Sequence, residues 1–383
     1  MSDRDRPPSL LIPCLAGAAQ SMFFLNHAPL LPLIMSDLAI SPAQAGLLST
    51  AAFLGGGLTA VPMGALADRL GPRRVMTLSL LLCLTATLAL ALAPGYATLL
   101  AVRLCSGPAV TATFIAGGSY VNALWAGRGA FLAQGLYGAS MQLGIGGALV
   151  LLPFAAERVG WRGALALCAV PIALAWVVWQ WGASAPRAPR ATGALWRVLS
   201  NADVWRLGLA NAAMFGLSVV VGTWVAVYFV HEFGVPLTHA GALGSLAILL
   251  GVVVRPLGGM IVARGITAPR SLIQVTLAGN AIALVVMAVP HRPLAAATAG
   301  VVLFGITSSL AYAAVITMAG RTQPEAAGAV LGLIGVMSMT SVVVGAPLAG
   351  ALLSASGDFS VPLAALTLLP VGALWAIRSL PRR

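Results

Sequence analysis

The chain has 383 residues, 60% of them apolar and 8% charged, against the roughly one quarter charged expected of soluble domains. That excludes a soluble catalytic domain: at about 20 apolar residues per pass, twelve passes use roughly 240 and leave about 140 for connections and tails. The net charge of +12 comes from 21 arginines and no lysine against nine carboxylates, which in a lipid-embedded chain is an orientation signal before it is a nucleic-acid signal.

The N-terminus, MSDRDRPP followed by an apolar run to Met35, exceeds the usual core of a secretory signal and is expected to be a retained first span. Breaking the apolar runs at charged, Pro and Gly clusters predicts spans near 9–35, 43–66, 75–93, 97–123, 130–155 and 163–183. Six more are predicted near 207–230, 240–263, 271–290, 294–319, 328–354 and 361–378. The longest connection, 184–206, contains ASAPRAPRATG and reads as a polar linker. The expected fold is an all-α membrane protein of twelve transmembrane helices in two pseudo-symmetric six-helix bundles, residues 1–183 and 207–383.

With both termini placed in the cytoplasm, sixteen arginines fall on the inner side: 4, 6, 69, 73, 74, 128, 187, 190, 197, 206, 264, 270, 321, 378, 382 and 383. Three fall outside, Arg158, Arg162 and Arg292, and two stay within spans, Arg103 and Arg255. This bias predicts a bacterial inner-membrane protein with cytoplasmic termini. An internal repeat supports the division: PMGALADRLG at 62–71 aligns without gaps on PLGGMIVARG at 256–265, an offset of 194 residues that also carries Pro153 onto Pro347. Two such halves would enclose a site near the midplane and rock about it.

These residues resemble the major facilitator superfamily over essentially the whole chain. GALADRLGPRR, Gly64 to Arg74, matches the family's signature loop between spans 2 and 3. Arg103 followed by Gly107 resembles a looser motif of span 4, and GASMQLGIGGALVLLP, Gly138 to Pro153, with GWRGA at 160–164, is similar to span 5 and its exit in anion-transporting branches. The resemblance implies a conformational role for Gly64, Asp68, Arg69, Gly71, Arg73, Arg74 and Arg103. Gly64 and Gly71 permit close helix approach and a tight reversal. Asp68 can face the positive N-terminal end of a neighbouring helix or pair with Arg69 or Arg73.

Arg255 is the main candidate. It lies about 20 Å below the outer end of span 8, where a guanidinium costs at least about 2.5 kcal/mol and normally faces the bundle interior or a hydrated cavity. Its planar fork suits a carboxylate or planar oxyanion, and its repeat equivalent is Val61. VRPLGG, 254–259, resembles span 8 of the nitrate/nitrite and the monocarboxylate/oxalate porters, which implies anion binding at Arg255; cyanate porters belong to the same flavour. Two departures stand beside it. The span 2 arginine of nitrate porters is Ala60 here, and the span 8 acid of proton-linked monocarboxylate porters is Gly251.

Arg103 reads as structure and gating, its head reaching the interface or a carbonyl. His27 is a candidate proton carrier or substrate donor, or equally a packed element of a kinked helix beside Asn26 and Pro29. Gln142 and Tyr312 are possible ligands, with Asn26, among neutral groups that mostly serve helix-to-helix bonding. Every carboxylate falls in a tail, a loop or at a span end. The cysteines, Cys14, Cys83, Cys105 and Cys168, have no metal-ligand spacing, and neither a P-loop nor HExxH occurs. The expectation is therefore no metal, no cofactor, no enzyme activity and no nucleic-acid partner. The expected protein is a monomeric carrier, in contact with the bilayer, that moves a small anion by alternating access. The alternative is a polyspecific exporter of neutral or lipophilic compounds in which Arg255 is structural.

Overall fold

The computed structural model describes residues 9–40, 42–125, 127, 129–182, 194–235 and 237–380, and among them there is no strand. Of the linker expected at 184–206, residues 184–193 lie outside the described residues, as do Arg4, Arg6, Arg128, Arg187, Arg190, Arg382 and Arg383. Among the described residues, eleven helices are long and apolar enough to cross a membrane. The twelfth is the first, whose two pieces are each shorter than a full span. It comprises Leu11–Leu25 and Leu31–Leu38, separated by Asn26, His27 and a 3-10 turn, Ala28–Leu30; we call it α1. Pro29 supplies no backbone donor there, and the interruption leaves carbonyls free for other partners.

The remaining spans are α2 (Pro42–Leu70), α3 (Pro72–Ala91) and α4, in two pieces, Tyr96–Cys105 and Gly107–Leu124. Next come α5 (129–159) and α6 (161–179), divided at Gly160, whose φ of 70° only glycine adopts readily. In the second half, α7 comprises Ala202–Asn211, a π turn Ala212–Gly216 and Leu217–Phe233, and α8 is Leu237–Ala263. The last four are α9 (Pro269–Ala288), α10 (Leu294–Leu310 and Tyr312–Thr322), α11 (Ala327–Ser356) and α12 (Ser360–Ile377). The seventh span thus begins at Ala202 rather than 207. Asn201 accepts from the Asp203 amide and caps the helix there, upstream of the arginine that marked the predicted boundary.

The two halves repeat each other in detail. Gly71 (φ 87°) and Gly265 (φ 70°), paired by the 194-residue offset, both take a positive φ just past the ends of α2 and α8. In the first lobe Gln20 of α1 bonds Ser79 of α3 and, at 3.0 Å, the Ala109 carbonyl of α4. In the second, Asn280 of α9 donates to the Ala213 carbonyl of α7 at 3.1 Å and accepts from Thr307 of α10 at 2.6 Å. Each triad ties three helices through polar groups that would otherwise be stranded in hydrocarbon.

Arginines also pin the face opposite the arginine-rich one. Arg292 donates from Nε to Tyr228 Oη (2.6 Å) and from Nη2 to Glu232 (3.2 Å), while the other Glu232 oxygen accepts from the Phe359 amide. In the first lobe Arg162 and Trp161 both donate to Asp37, which is exposed beyond the apolar run that ends at Met35. The Arg162 hydrogen bond, and then that of Trp161, hold the Asp37 carboxyl below the usual carboxylate range. A lowered folded pKa stabilises above the unfolded value, about 3.9, and the effect is lost as pH falls through the folded value. Asp37→Asn is therefore expected to lower the melting temperature of the detergent-solubilised protein slightly at pH 7. The gap should narrow as pH falls below the unfolded value and close once the folded carboxyl is protonated; a gap that does not narrow in acid contradicts the assignment.

The lobes meet along two crossings, α2 with α11 and α5 with α8. At the first, both Asp68 oxygens cap the start of α11, accepting from the Gly328 amide at 2.8 Å and the Ala329 amide at 2.9 Å. Gly64 lies against Gly328, where a Cβ would meet the Gly328 carbonyl carbon at 2.8 Å and Ala329 Cα at 3.0 Å. Asn122 donates to the Ile316 carbonyl and Arg321 to that of Gly127. These bonds close the seam from the arginine-rich face towards mid-membrane.

Candidate functional site

Near mid-membrane a cavity separates α4, α7, α10 and α11, with Phe114, Asn211, Phe215, Tyr312 and Ser338 among its walls. The space at its centre that a water molecule can occupy is about 20 Å³, room for roughly one water, so in this conformation it is nearly shut. The π turn of α7 carries Phe215, which meets Phe114 of the other lobe at 4.9 Å between ring centroids. Gly216 lets α7 approach α11, since a Cβ there would lie 2.9 Å from the Ser338 carbonyl oxygen. Asn211 donates to Ser338 Oγ at 2.7 Å, joining the same two helices.

Arg255 sits beside this cavity, on the seam of α5, α8 and α10, and is 4% exposed. Its Nη1 donates across the lobes to the Gly138 carbonyl at 2.9 Å, and its guanidinium carbon lies 4.4 Å from the Tyr312 ring centroid. Its Nε is buried with no hydrogen-bond partner. Gly138 makes the arrangement possible, because a Cβ there would press on the Tyr312 ring and come within 3.1 Å of Arg255 Cδ. The repeat-related crossing holds Gly332 against Val61, so the arginine occupies a place that the other half fills with an aliphatic side chain. Arg255 is not among the residues that line the cavity, whereas Tyr312, on whose ring its guanidinium packs, is.

Gln142 follows Gly138 by one turn on α5 and donates to the Ile248 carbonyl of α8 at 3.0 Å. Opposite it is Gly251, where a Cβ would meet Gln142 Nε2 at 2.8 Å and Ser309 Oγ at 2.9 Å. A side chain one turn before Arg255 would therefore have to displace Gln142 and Ser309. Arg255, Gln142 and Tyr312 are accordingly brought together on one seam.

His27 and Asn26 are not part of it. Both are buried at the break in α1, and neither lines the cavity. There Arg103, 1% exposed, donates to the carbonyls of Phe23 (3.0 Å), Phe24 (2.9 Å) and Leu48 (3.4 Å) and contacts His27 Nδ1. The interrupted helix exposes acceptors that a nearby guanidinium satisfies. Both polar atoms of the Asn26 side chain are buried without partners.

Around the signature loop, Arg69 and Arg74 are exposed, while Arg73 donates to the Gln180 carbonyl at 2.6 Å rather than pairing with Asp68. Sequence reasoning missed Phe114, Phe215 and Ser338 as cavity walls. Aromatic and small polar residues are common in membrane helices, and nothing local marks the π turn that aims Phe215.

The fold is thus a two-lobed, twelve-helix membrane protein with an unpartnered buried cation donor at its central seam. The chain belongs to the Major Facilitator Superfamily, which it matches over residues 13–346. It is 30% identical to a probable nitrate/nitrite antiporter of Thermus thermophilus over 279 residues, 67% of this chain and 62% of that protein. It thus spans about three fifths of that relative's length. It is 27% identical to a probable nitrate/nitrite transporter of Mycobacterium tuberculosis over 313 residues, 78% of this chain and 77% of that one. Among solved structures, the fucose:proton symporter of Escherichia coli superposes with a TM-score of 0.81 at 14% identity, covering 96% of this chain and 97% of that one. The human organic anion transporter MFSD10 gives 0.80 at 17% identity, over 98% and 100%.

Proposed function

We propose that this chain is a secondary transporter that moves a small anion, organic or inorganic, by alternating access, with Arg255 as its counter-charge. The observation that carries the reading is the buried Arg255 Nε without a partner, on a guanidinium whose protein partners are one carbonyl and one ring. A stranded buried donor costs about 1–3 kcal/mol, more when charged, and an arriving oxyanion removes that cost. All carboxylates of the described residues lie at helix ends or in loops, so a neighbouring acid does not already neutralise this charge. The nitrate/nitrite relatives favour the same class of cargo. With Ala60 in place of a second arginine, the site offers one fixed charge and suits a monovalent anion.

In this reading the two six-helix lobes rock as two bodies joined by the linker that precedes Ala202. The arginine-rich face lies in the cytoplasm of a bacterial inner membrane, by the positive-inside rule. The Asp68 cap on α11 forms in the state seen here and breaks in the other.

Counterflow in proteoliposomes against nitrate, nitrite, cyanate, lactate and oxalate tests this. At least one monovalent anion should exchange at a rate well above that of protein-free vesicles. If none moves while a neutral or cationic dye does, the chain is a polyspecific exporter and Arg255 is structural.

A further inference from the structure

We propose that Tyr312 governs access to Arg255: a solute in the central cavity reaches the guanidinium only when the Tyr312 ring turns aside. This rests on the reading of Arg255 as the anion's counter-charge. The ring forms part of the cavity wall, and the guanidinium carbon lies 4.4 Å from its centroid, outside the set of residues that line the cavity. An anion held among Phe114, Phe215 and Asn211 would therefore meet the tyrosine before the arginine.

The mounting of the ring suits movement. Tyr312 is the first residue after the interruption of α10 at Ala311 (φ −93°, ψ 8°), so the piece carrying it is not rigidly continuous with Leu294–Leu310. Among the described residues its hydroxyl reaches only Met141 Sδ, at 3.9 Å, a weak acceptor. Its other close neighbour, Gly138, lies on α5 with Met141, in the opposite lobe. When the lobes part at the α5 and α8 crossing, both neighbours leave together and the ring loses its backing. With no anion bound, the ring face gives the guanidinium a cation–π partner in place of water, and an arriving anion competes for the same charge.

The test uses the purified full-length chain and the arginine reagent 2,3-butanedione, with modification followed at each arginine by peptide mass. Wild type, Tyr312→Phe and Tyr312→Ala are compared. Arg255 should react at least ten times faster in Tyr312→Ala than in wild type, and within twofold of wild type in Tyr312→Phe, which keeps the ring. Arg103, buried and held by carbonyls, is the internal control and should stay unreactive in all three. An unchanged Arg255 rate in Tyr312→Ala overturns the proposal. So does a parallel rise at Arg103, which would mean a loosened core, or a Tyr312→Phe rate as high as that of Tyr312→Ala. A second arm adds sodium nitrate, nitrite or acetate to Tyr312→Ala. Protection of Arg255 supports the anion reading, and failure of every anion to protect overturns that reading while the lid result stands.

Discussion

Arg255→Gln is expected to lower anion exchange in proteoliposomes at least 100-fold while leaving expression and the melting temperature near wild type. Removing one member of a buried charged pair costs about 2–5 kcal/mol, and a factor of 100 corresponds to about 2.7 kcal/mol. Glutamine can still donate towards the Gly138 carbonyl that Nη1 now reaches at 2.9 Å, so the lobe contact survives in part while the charge is lost. Arg255→Lys keeps the charge but not the fork, and a single ammonium cannot serve the Gly138 carbonyl and a planar anion with the same geometry. Its exchange should fall about tenfold, mainly through weaker apparent affinity. Retention of exchange within threefold by Arg255→Gln would remove the counter-charge role and favour the exporter reading.

The second large effect is expected from Gly64→Val. A Cβ at this position would meet the Gly328 carbonyl carbon at 2.8 Å and Ala329 Cα at 3.0 Å, and both obstacles are backbone of the facing lobe. No rotamer change relieves such a clash, so α2 and α11 must separate and the Asp68 cap must break. The population should shift towards the form open at the arginine-rich face, with exchange reduced more than tenfold. Spin labels at residues 123 and 322, near the ends of α4 and α10 on that face, should report a longer distance in the variant. Asp68→Asn removes the capping charge but leaves the packing, and should shift the same equilibrium by about tenfold, the size expected of a cap worth about 1–2 kcal/mol. An unchanged distance distribution in Gly64→Val would mean that this crossing does not control the seam.

Much of the architecture is legible in the residue order, because lipid imposes its own arithmetic. Continuous apolar runs bounded by Arg, Pro and Gly locate spans to within a few residues, since every backbone group in hydrocarbon must be satisfied within its own helix. The start of α7 at Ala202 is the exception. It depends on the Asn201 cap, a local polar contact invisible to a count of apolar residues. The repeat at 62–71 and 256–265 is equally legible, and its two terminal glycines both take a positive φ.

The partners of the buried charges are not legible in this way. Depth in the span separates Arg103 from Arg255 in sequence, but it does not name the groups that each one meets. The difference comes from what lies opposite: the broken α1 offers Arg103 two carbonyls and α2 a third, whereas α5 offers Arg255 one carbonyl and leaves Nε unmet. His27 and Asn26 look available because they sit beside a helix-breaking proline, but that same break buries them in the first lobe.

The amino-acid order alone determines that this chain is a membrane protein of two related halves and that two guanidinium groups must be accommodated within it, because hydrophobic run length and charge position are properties of the linear chain. Which charge keeps a donor unmet, and that Tyr312 packs against it beside the cavity, are decided only when α5, α8 and α10 meet. Hydrogen-bond satisfaction belongs to a pair of groups, and the Gly138 carbonyl that partners Arg255 lies 117 positions away in the chain.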